Sequence, residues 1–362
     1  MTLIGEQARQ SGLSLIELMI AMVLGLLIMA GVIELFVGNS QINRSTTSLS
    51  QMQDNSRFAL NLLSKDIRTA GYSGCREIKR INLNTIASGA VAAVDNDSII
   101  EGEENWGAGV VSTTLGAVKA GSDVLSVQHA LGCGATLIGN LATANSDIEV
   151  NAPNTCNLNA NQVLMISDCE DAHIFKATSV TNGINKQTIT YAESENLANK
   201  FCKKYPTLPQ VGNCTVEDGD KLYGFNAEVY KFISISYFVR DDQNGLPALW
   251  IYDHNSVVDT VNAATLNPKV LVEGINDLQM KYGVDDNYDD VIDRYADAQV
   301  ITNASDWGKV ISVEVSLLVQ SQNENLTLNA QEITYNGTTT TVADGHIQRV
   351  YNTTIAVRNR VQ

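Results

Sequence analysis

The sequence predicts an α+β fold, in which a long N-terminal helix packs on a large antiparallel β-rich domain. Three observations lead to this prediction. An apolar run near the start of the chain is almost free of charge, its polar continuation keeps helical spacing, and the chain beyond Gly74 alternates between apolar and polar residues. Helical and strand-like periods therefore occupy separate parts of the chain, which is typical of an α+β fold.

The first 38 residues combine a polar leader, residues 1–12, with an apolar segment, residues 13–38. The charged residues of that segment are Glu17 and Glu34. In a secretory signal peptide the apolar core precedes the cleavage site and is removed with it, whereas cleavage after Gly12 would keep the apolar segment. Residues 13–37 in helical form reach about 37 Å, enough to cross a hydrocarbon core of about 30 Å. The segment is therefore predicted to span a membrane.

Residues 39–72 are predicted to continue the helix with one buried face. No proline occurs before Pro153, and Gly71 and Gly74 mark the end of the helical pattern. The apolar residues recur at spacings of three and four, and such a stripe packs on a globular core. The stripe consists of Leu49, Met52, Ala59, Leu63, Ile67 and Ala70.

Residues 73–362 are predicted to form the β-rich domain, because apolar residues there alternate with polar ones between clusters of Gly, Asn and Asp. Antiparallel pairing is the default for strands without intervening helices. The predicted strands are Asp123–His129, Val229–Val239, Ala248–Tyr252, Leu278–Tyr282, Val310–Val319 and Ile347–Val357.

The cysteines favour disulfide bonds over a zinc site. Their number is even, their spacing is wide, and there is no C-x-x-C pair. The pairing stays open, and only the Cys202–Cys214 loop is favoured by proximity. Five of the six cysteines lie in residues 132–214, which predicts a disulfide-linked subdomain there. The six are Cys75, Cys133, Cys156, Cys169, Cys202 and Cys214.

Composition and motifs argue against two broad classes of function. The formal net charge of −16 opposes direct binding of nucleic acid. The four histidines are scattered, and the sequence contains no H-E-x-x-H, G-x-S-x-G, Walker or dinucleotide-binding motif. The sequence therefore predicts no catalytic residues.

An acidic run in residues 284–298 is a candidate calcium site, with calcium as the only candidate cofactor. Its oxygen-bearing side chains alternate as calcium ligands do in loop sites. However, Asp290 stands where an EF-hand has glycine, and Ala296 stands where it has glutamate. A calcium site and a solvated acidic loop both stay open. The candidate ligands are Asp285, Asn287, Asp289, Asp293 and Asp297.

The N-terminal motif carries a family resemblance. The stretch SGLSLIELMIAMVLGLLIMAGVIELF resembles the class III signal peptide and first helix of type IV pilins and pseudopilins. The continuation QDNSRFALNLLSKDIRTAGYSGC resembles the PilW family of minor pilins, as do, more weakly, LMISDCEDAHIFKAT, LVEGINDLQMKYGVD and TTIAVRNR. The resemblance implies a pilin-like arrangement of the predicted helix and β-rich domain.

By this resemblance, a prepilin peptidase cleaves between Gly12 and Leu13 and methylates the new N-terminus at Leu13. The resemblance also implies that Glu17 meets the N-terminal ammonium of a neighbouring subunit during assembly. A carboxylate in mid-bilayer costs about 2.5–3.5 kcal/mol, less near an interface, so a partner for Glu17 is expected. Glu34 is predicted to lie near the outer interface or face the globular domain, with a second inter-subunit pairing as the alternative.

The implied function is that of a minor pilin that helps to initiate assembly of a type IV pilus and stays in its tip complex. Such pili support twitching motility, adhesion or DNA uptake. The implied partners are the prepilin peptidase, other minor pilins, the major pilin, a large tip adhesin and the inner membrane. The chain is expected to be a single-pass inner-membrane protein with a periplasmic domain, and then part of the extracellular fibre.

Two alternatives stay open at this point. The first is a minor pseudopilin of a type II secretion system. The second is a membrane-anchored periplasmic enzyme or binding module unrelated to fibres, which predicts an uncleaved N-terminus.

Overall fold

The computed structural model describes residues 14–75, 78–88, 94, 97–105, 111–112, 115–205, 219–255, 268–327 and 329–360. Within these residues the helices are α1 (Leu15–Thr69) and α2 (Ala298–Ala304), with short 3₁₀ turns at Ile78–Arg80 and Trp307–Lys309. The strands, in chain order, are β1 (Asn82–Thr85), β2 (Ile100–Glu103), β3 (Val111–Ser112), β4 (Gly116–Ala117), β5 (Val124–Thr136), β6 (Ile148–Asn151), β7 (Val163–Ser167), β8 (Asp171–Lys176), β9 (Ser179–Asn182), β10 (Lys186–Thr190), β11 (Glu228–Asp241), β12 (Pro247–Asp253), β13 (Lys269–Glu273), β14 (Ile275–Val284), β15 (Arg294–Ala296), β16 (Val310–Gln320), β17 (Gln331–Tyr335), β18 (Thr338–Val342) and β19 (Gln348–Ala356).

The predicted long helix is confirmed as α1, a single run of 55 residues. At a rise of about 1.5 Å per residue its length is roughly 80 Å. It ends where Gly71 adopts a φ of +70° and donates its N–H to the carbonyl of Gln128 at 2.9 Å. Glycine suits this position, because its positive φ strains other residues and a Cβ would stand 2.5 Å from Cδ1 of Ile99, which would have to move. The chain therefore turns from α1 directly onto β5.

The largest sheet is built around β11. On one side β11 pairs with β5, which pairs in turn with β2. On the other side its first half pairs with β7 and its second half with β12, so the sheet divides into a β7-β8-β1 branch and a β12-β13 branch. The expectation of antiparallel pairing holds except between β1 and β8, which are parallel. The long connection between these two strands makes that pairing possible.

A second sheet, with the strand order β15-β14-β16-β19, is antiparallel throughout. The stripe on the second half of α1 packs against both sheets in one hydrophobic cluster. Met52, Ala59, Leu63, Ile67 and Ala70 are fully or almost fully buried, and Leu49 is partly buried at the edge of this cluster. The second half of α1 therefore holds the two sheets together.

A separate hydrophobic cluster lies beyond the C-terminal end of α1. The amide of Ala130 in β5 donates to the carbonyl of Tyr72, and β5 then runs on into this second cluster. The cluster contains the small sheet β6-β10-β9 and a group of packed aromatic rings. It also takes in Ile86 and Val229, which lie outside residues 132–214. We call this part of the molecule the distal subdomain.

The described disulfide bonds join Cys133 to Cys156 within the distal subdomain, and Cys75 to Cys169 at its base. Cys202 is also disulfide-bonded, and Cys214, its predicted partner, lies outside the described residues. The Cys75–Cys169 bond fixes the segment that follows α1 to the turn between β7 and β8.

The six predicted strands are confirmed as β5, β11, β12, β14, β16 and β19. Helix α2, the hairpin β17-β18 and most of the short strands of the distal subdomain are not among the predicted elements. They have four to seven residues, which is too short for a periodic pattern to stand out.

Candidate functional site

The first half of α1 presents an uncovered apolar surface. Every Leu, Ile, Met, Val and Phe side chain from Leu15 to Val37 is at least 50% exposed. Among the described residues, α1 is the helix whose length and composition suit a membrane span. Burying one such side chain is worth about 1.5–3 kcal/mol, so this surface is stable only in a bilayer or against other helices.

The N-terminus of α1 carries a capping box between Ser14 and Glu17. The Ser14 hydroxyl oxygen accepts the amide of Glu17 at 3.2 Å, and the Glu17 carboxylate accepts the amide and the hydroxyl of Ser14 at 2.9 and 3.0 Å. These bonds satisfy helix N–H groups that would otherwise lack partners. This contact is not among the predictions above, although the S-x-x-E spacing of residues 14–17 is its signature. The box holds the Glu17 carboxylate at the end of the apolar surface.

Glu34 is exposed on the same half of α1. Glu17 and Glu34 are 17 positions apart, which corresponds to about 25 Å along the axis, a little less than the hydrocarbon thickness of about 30 Å. Both carboxylates can therefore lie near the opposite faces of one bilayer. Gly12 and Leu13, the predicted cleavage site, lie outside the described residues. The roles of all four residues in processing and assembly stay predictions.

The candidate calcium loop folds around its own side chains. Asp285 is buried, and its carboxylate accepts the backbone amides of Asp289 at 3.2 Å and Asp290 at 2.9 Å. The side-chain oxygen Oδ1 of Asn287 accepts the amide of Asp289, and the carboxylate of Asp293 accepts the amide of Asp286. Asn and Asp side chains that accept backbone amides of their own loop stabilise its turns without a metal.

Asp286 and Asp297 of this acidic run lie beside cations. Arg294 donates to Asp286 at 2.8 Å and to Asp306 at 3.0 Å, and its bond to Asp286 lowers the pKa of that carboxyl. Asp297 precedes α2 and lies 3.9 Å from Lys281. In the part of the chain that the structure describes, no group of three His, Cys, Asp or Glu residues is placed to hold a metal ion. Calcium binding at this loop stays a prediction, and titration calorimetry of the full chain with Ca²⁺ tests it.

His173 has a structural environment. Its Nδ1 lies 2.6 Å from the Tyr223 hydroxyl, its Nε2 lies 3.0 Å from the Cys202 carbonyl, and aromatic rings surround it. Burial lowers the pKa of this histidine to about 4, so the ring is neutral at physiological pH. His173 therefore fills the core of the distal subdomain.

Comparison with protein families gives two matches. Residues 7–33 match the prokaryotic N-terminal methylation motif, and residues 236–359 match type IV pilus-assembly protein W. The second match runs from within β11 through β19 and so includes the whole of the second sheet. No curated protein matches the chain, and no solved structure matches it either. The distal subdomain lies outside both matched ranges.

Proposed function

Because the chain is a PilW-like minor pilin of the type IV pilus, we propose that it helps to initiate pilus assembly and remains in the tip complex. The chain is anchored in the inner membrane by α1, with its β-rich domain in the periplasm, before it enters the pilus. The proposed role in initiation and in the tip complex depends on the position of this subunit in the fibre.

The proposal rests on the position of the distal subdomain, which lies beyond the C-terminal end of α1. From the apolar half of α1 onwards, the contacts with the β-rich domain are those of Ser48 with Asn323, of Asn55 with β13 and, just after the helix, of Gly71 with β5. The distal subdomain begins beyond this last contact. A pilin leaves the membrane with the apolar end of its helix last, so the other end of α1 faces the tip. The subdomain would therefore stand in the path of a subunit placed further towards the tip. A first or near-terminal subunit has that space free.

Glu17 supplies the assembly contact in this proposal. Its exposed carboxylate follows Leu13, the predicted N-terminus of the processed chain, by four positions in the sequence. Within a bilayer an unpaired carboxylate costs about 2.5–3.5 kcal/mol at the centre and less towards the interface. Pairing with the N-terminal ammonium of a neighbouring subunit offsets this cost and fixes the register between two helices. Other minor pilins, the major pilin and a tip adhesin are the proposed neighbours.

Deletion of the gene and labelling of the protein test the proposed position. We expect fewer pili per cell without the chain, and an immunogold label confined to one end of the fibres in its presence. Label spread evenly along the fibres would refute the tip position, and an unchanged number of pili would refute the role in initiation.

A second experiment tests Glu17. In Glu17→Ala, mass spectrometry is expected to find the processed, methylated N-terminus at Leu13, whereas sheared fibres are expected to lack the variant. Glu34→Ala removes the same charge from the same helix; its normal entry into fibres would assign the loss to position 17 and exclude the alternative pairing of Glu34. Normal incorporation of Glu17→Ala contradicts the proposed pairing, and an intact Met1 peptide contradicts the prepilin assignment.

A further inference from the structure

A cleft of about 200 Å³ lies where the β-rich domain first meets α1, at the end of the apolar surface. One wall is the face of α1 between Phe36 and Arg44, and the other is the loop that contains Asn325 and Leu326. This loop follows β16 and faces Phe36 and Val37, at the end of the apolar half of α1, across the cleft. The cleft therefore opens at the level where the helix leaves the bilayer.

The loop wall of the cleft is held in place by several contacts. Asn323 donates its side-chain amide to the hydroxyl of the buried Ser48 on α1. The amide of Leu326 donates to the carbonyl of Gly345 at 2.9 Å, and Leu326 itself is buried. Because both walls are fixed within one chain, the cleft exists before any ligand binds.

The lining of the cleft changes from apolar to polar along α1. Phe36 and Val37 stand at the membrane end, and both are more than half exposed. Ser40, Gln41 and Arg44 follow on the same face of the helix, opposite Asn325. A ligand that matches this order has an apolar chain at one end and a polar, hydrogen-bonding group at the other.

The positive charge of Arg44 favours a negative charge on that polar group of the ligand. Arg44 is the first basic residue of α1, since residues 15–43 contain no Lys or Arg. It is exposed and has no ion pair or hydrogen bond with the residues that the structure describes. A guanidinium forms bidentate hydrogen bonds with phosphate oxygens, so a phosphate is the anion that Arg44 suits best.

The level of Arg44 agrees with that of a phospholipid head group. Arg44 lies seven positions after Val37, which is about 10 Å along the helix axis. The head-group layer on each side of a bilayer is about 5–8 Å thick. Helical side chains lean towards the N-terminus of their helix, so the guanidinium of Arg44 is directed back into this layer.

We propose that this cleft binds the head-group phosphate of an anionic phospholipid of the periplasmic leaflet while the chain is anchored in the inner membrane. The phosphate pairs with Arg44, the side chains of Ser40, Gln41 and Asn325 hydrogen-bond the head group, and an acyl chain lies along Phe36 and Val37. The net charge of −16 repels anionic lipid from the protein as a whole, so retention of such a lipid requires this local cation. The site depends on membrane anchoring, and it is independent of the proposed role at the pilus tip.

Native mass spectrometry of the full chain, released from micelles that contain equal amounts of phosphatidylglycerol and phosphatidylcholine, tests the proposal. We expect the wild type to retain phosphatidylglycerol about tenfold more than phosphatidylcholine, and Arg44→Gln to retain the two equally. Arg44→Lys should keep part of the preference, because an ammonium keeps the charge without the planar fork. Arg57→Gln is the matched control, since Arg57 is exposed on the same helix about 20 Å further from the apolar surface.

Three results would overturn the proposal. An undiminished preference in Arg44→Gln, or an equal loss in Arg57→Gln, shows that the lipid is not held by Arg44. Displacement of the lipid by millimolar glycerol 3-phosphate shows that the cleft selects a soluble phosphate and has no need of an acyl chain. Circular dichroism of each variant verifies that α1 is intact, and none of these measurements depends on fibre formation.

Discussion

Replacement of Leu63 by alanine tests how firmly α1 is attached to the β-rich domain. Leu63 is fully buried and lies in the cluster that joins α1 to both sheets. The substitution removes three carbons, which corresponds to about 2.4 kcal/mol of transfer free energy at about 0.8 kcal/mol per buried methylene. The cavity left behind adds to this, and measured Leu→Ala changes in cores range over about 2–5 kcal/mol. We expect the free energy of unfolding to fall by about 3 kcal/mol.

Urea unfolding of the full chain in detergent, followed by tryptophan fluorescence, measures this change. All three tryptophans, at positions 106, 250 and 307, lie outside α1, so the signal reports the β-rich domain. With a slope of about 3 kcal/mol per molar urea, the midpoint should fall by about 1 M. Leu62→Ala is the matched control, because the neighbouring leucine is only partly buried and stands outside the cluster.

A midpoint for Leu63→Ala equal to that of Leu62→Ala would refute this reasoning. It would mean that the domain unfolds independently of α1, and that the packing of the stripe adds nothing to its stability. A change in the slope, with no change in the midpoint, would indicate that α1 leaves the domain before the sheets unfold.

Three further predictions concern the β-rich domain. Tyr237→Phe removes the hydrogen bond that the buried tyrosine donates to Asp66 on α1, and thermal or urea unfolding should show a loss of about 2 kcal/mol, because the acceptor is a charged group. Replacement of both Cys133 and Cys156 by alanine opens a loop with a sequence separation of 23 and should destabilise the distal subdomain by about 3 kcal/mol. Limited proteolysis of this variant should then cut the distal subdomain first. Equal resistance of the variant and the wild type to the protease would contradict the prediction. Burial raises the pKa of Asp123 to about 7, so the folded state favours the protonated carboxyl. The free energy of unfolding should therefore fall by up to about 4 kcal/mol as the pH rises from about 4 to about 7. Asp123→Asn should flatten this part of a plot of the urea midpoint against pH.

The parts of the fold with long periodic patterns could be predicted from the sequence. The stripe from Met52 to Ala70 and the alternation in β11, β16 and β19 extend over nine or more residues, and each predicts its buried face. The branching of the largest sheet at β11 could not be predicted, because pairing depends on which distant strands meet its two halves. The same holds for the Cys75–Cys169 pair, whose sequence separation of 94 gives no local signal.

The candidate site divides in the same way. The apolar segment and Glu17 could be identified from a run of residue types, and the Ser14–Glu17 box was readable from its spacing although it was missed. The cleft beside Arg44 has no pattern in the sequence, because its second wall comes from residues nearly 300 positions further along the chain. A site between distant segments becomes visible only when the fold brings them together.

The Cys75–Cys169 bond has a mechanical consequence for a subunit of a fibre under tension. A pull on the apolar half of α1 reaches the rest of the molecule through the chain that leaves the C-terminal end of this helix. The disulfide connects that chain covalently to the turn between β7 and β8, so residues 76–168 form a closed loop outside the shortest load-bearing path. Stretching the protein between α1 and any point beyond Cys169 therefore cannot extend those residues, and the length gained on forced unfolding is reduced by that loop. Reduction of this one bond would lengthen the unfolded subunit by up to about 230 Å, at about 3.3 Å for each released residue, because the Cys133–Cys156 bond keeps the residues between those two cysteines closed.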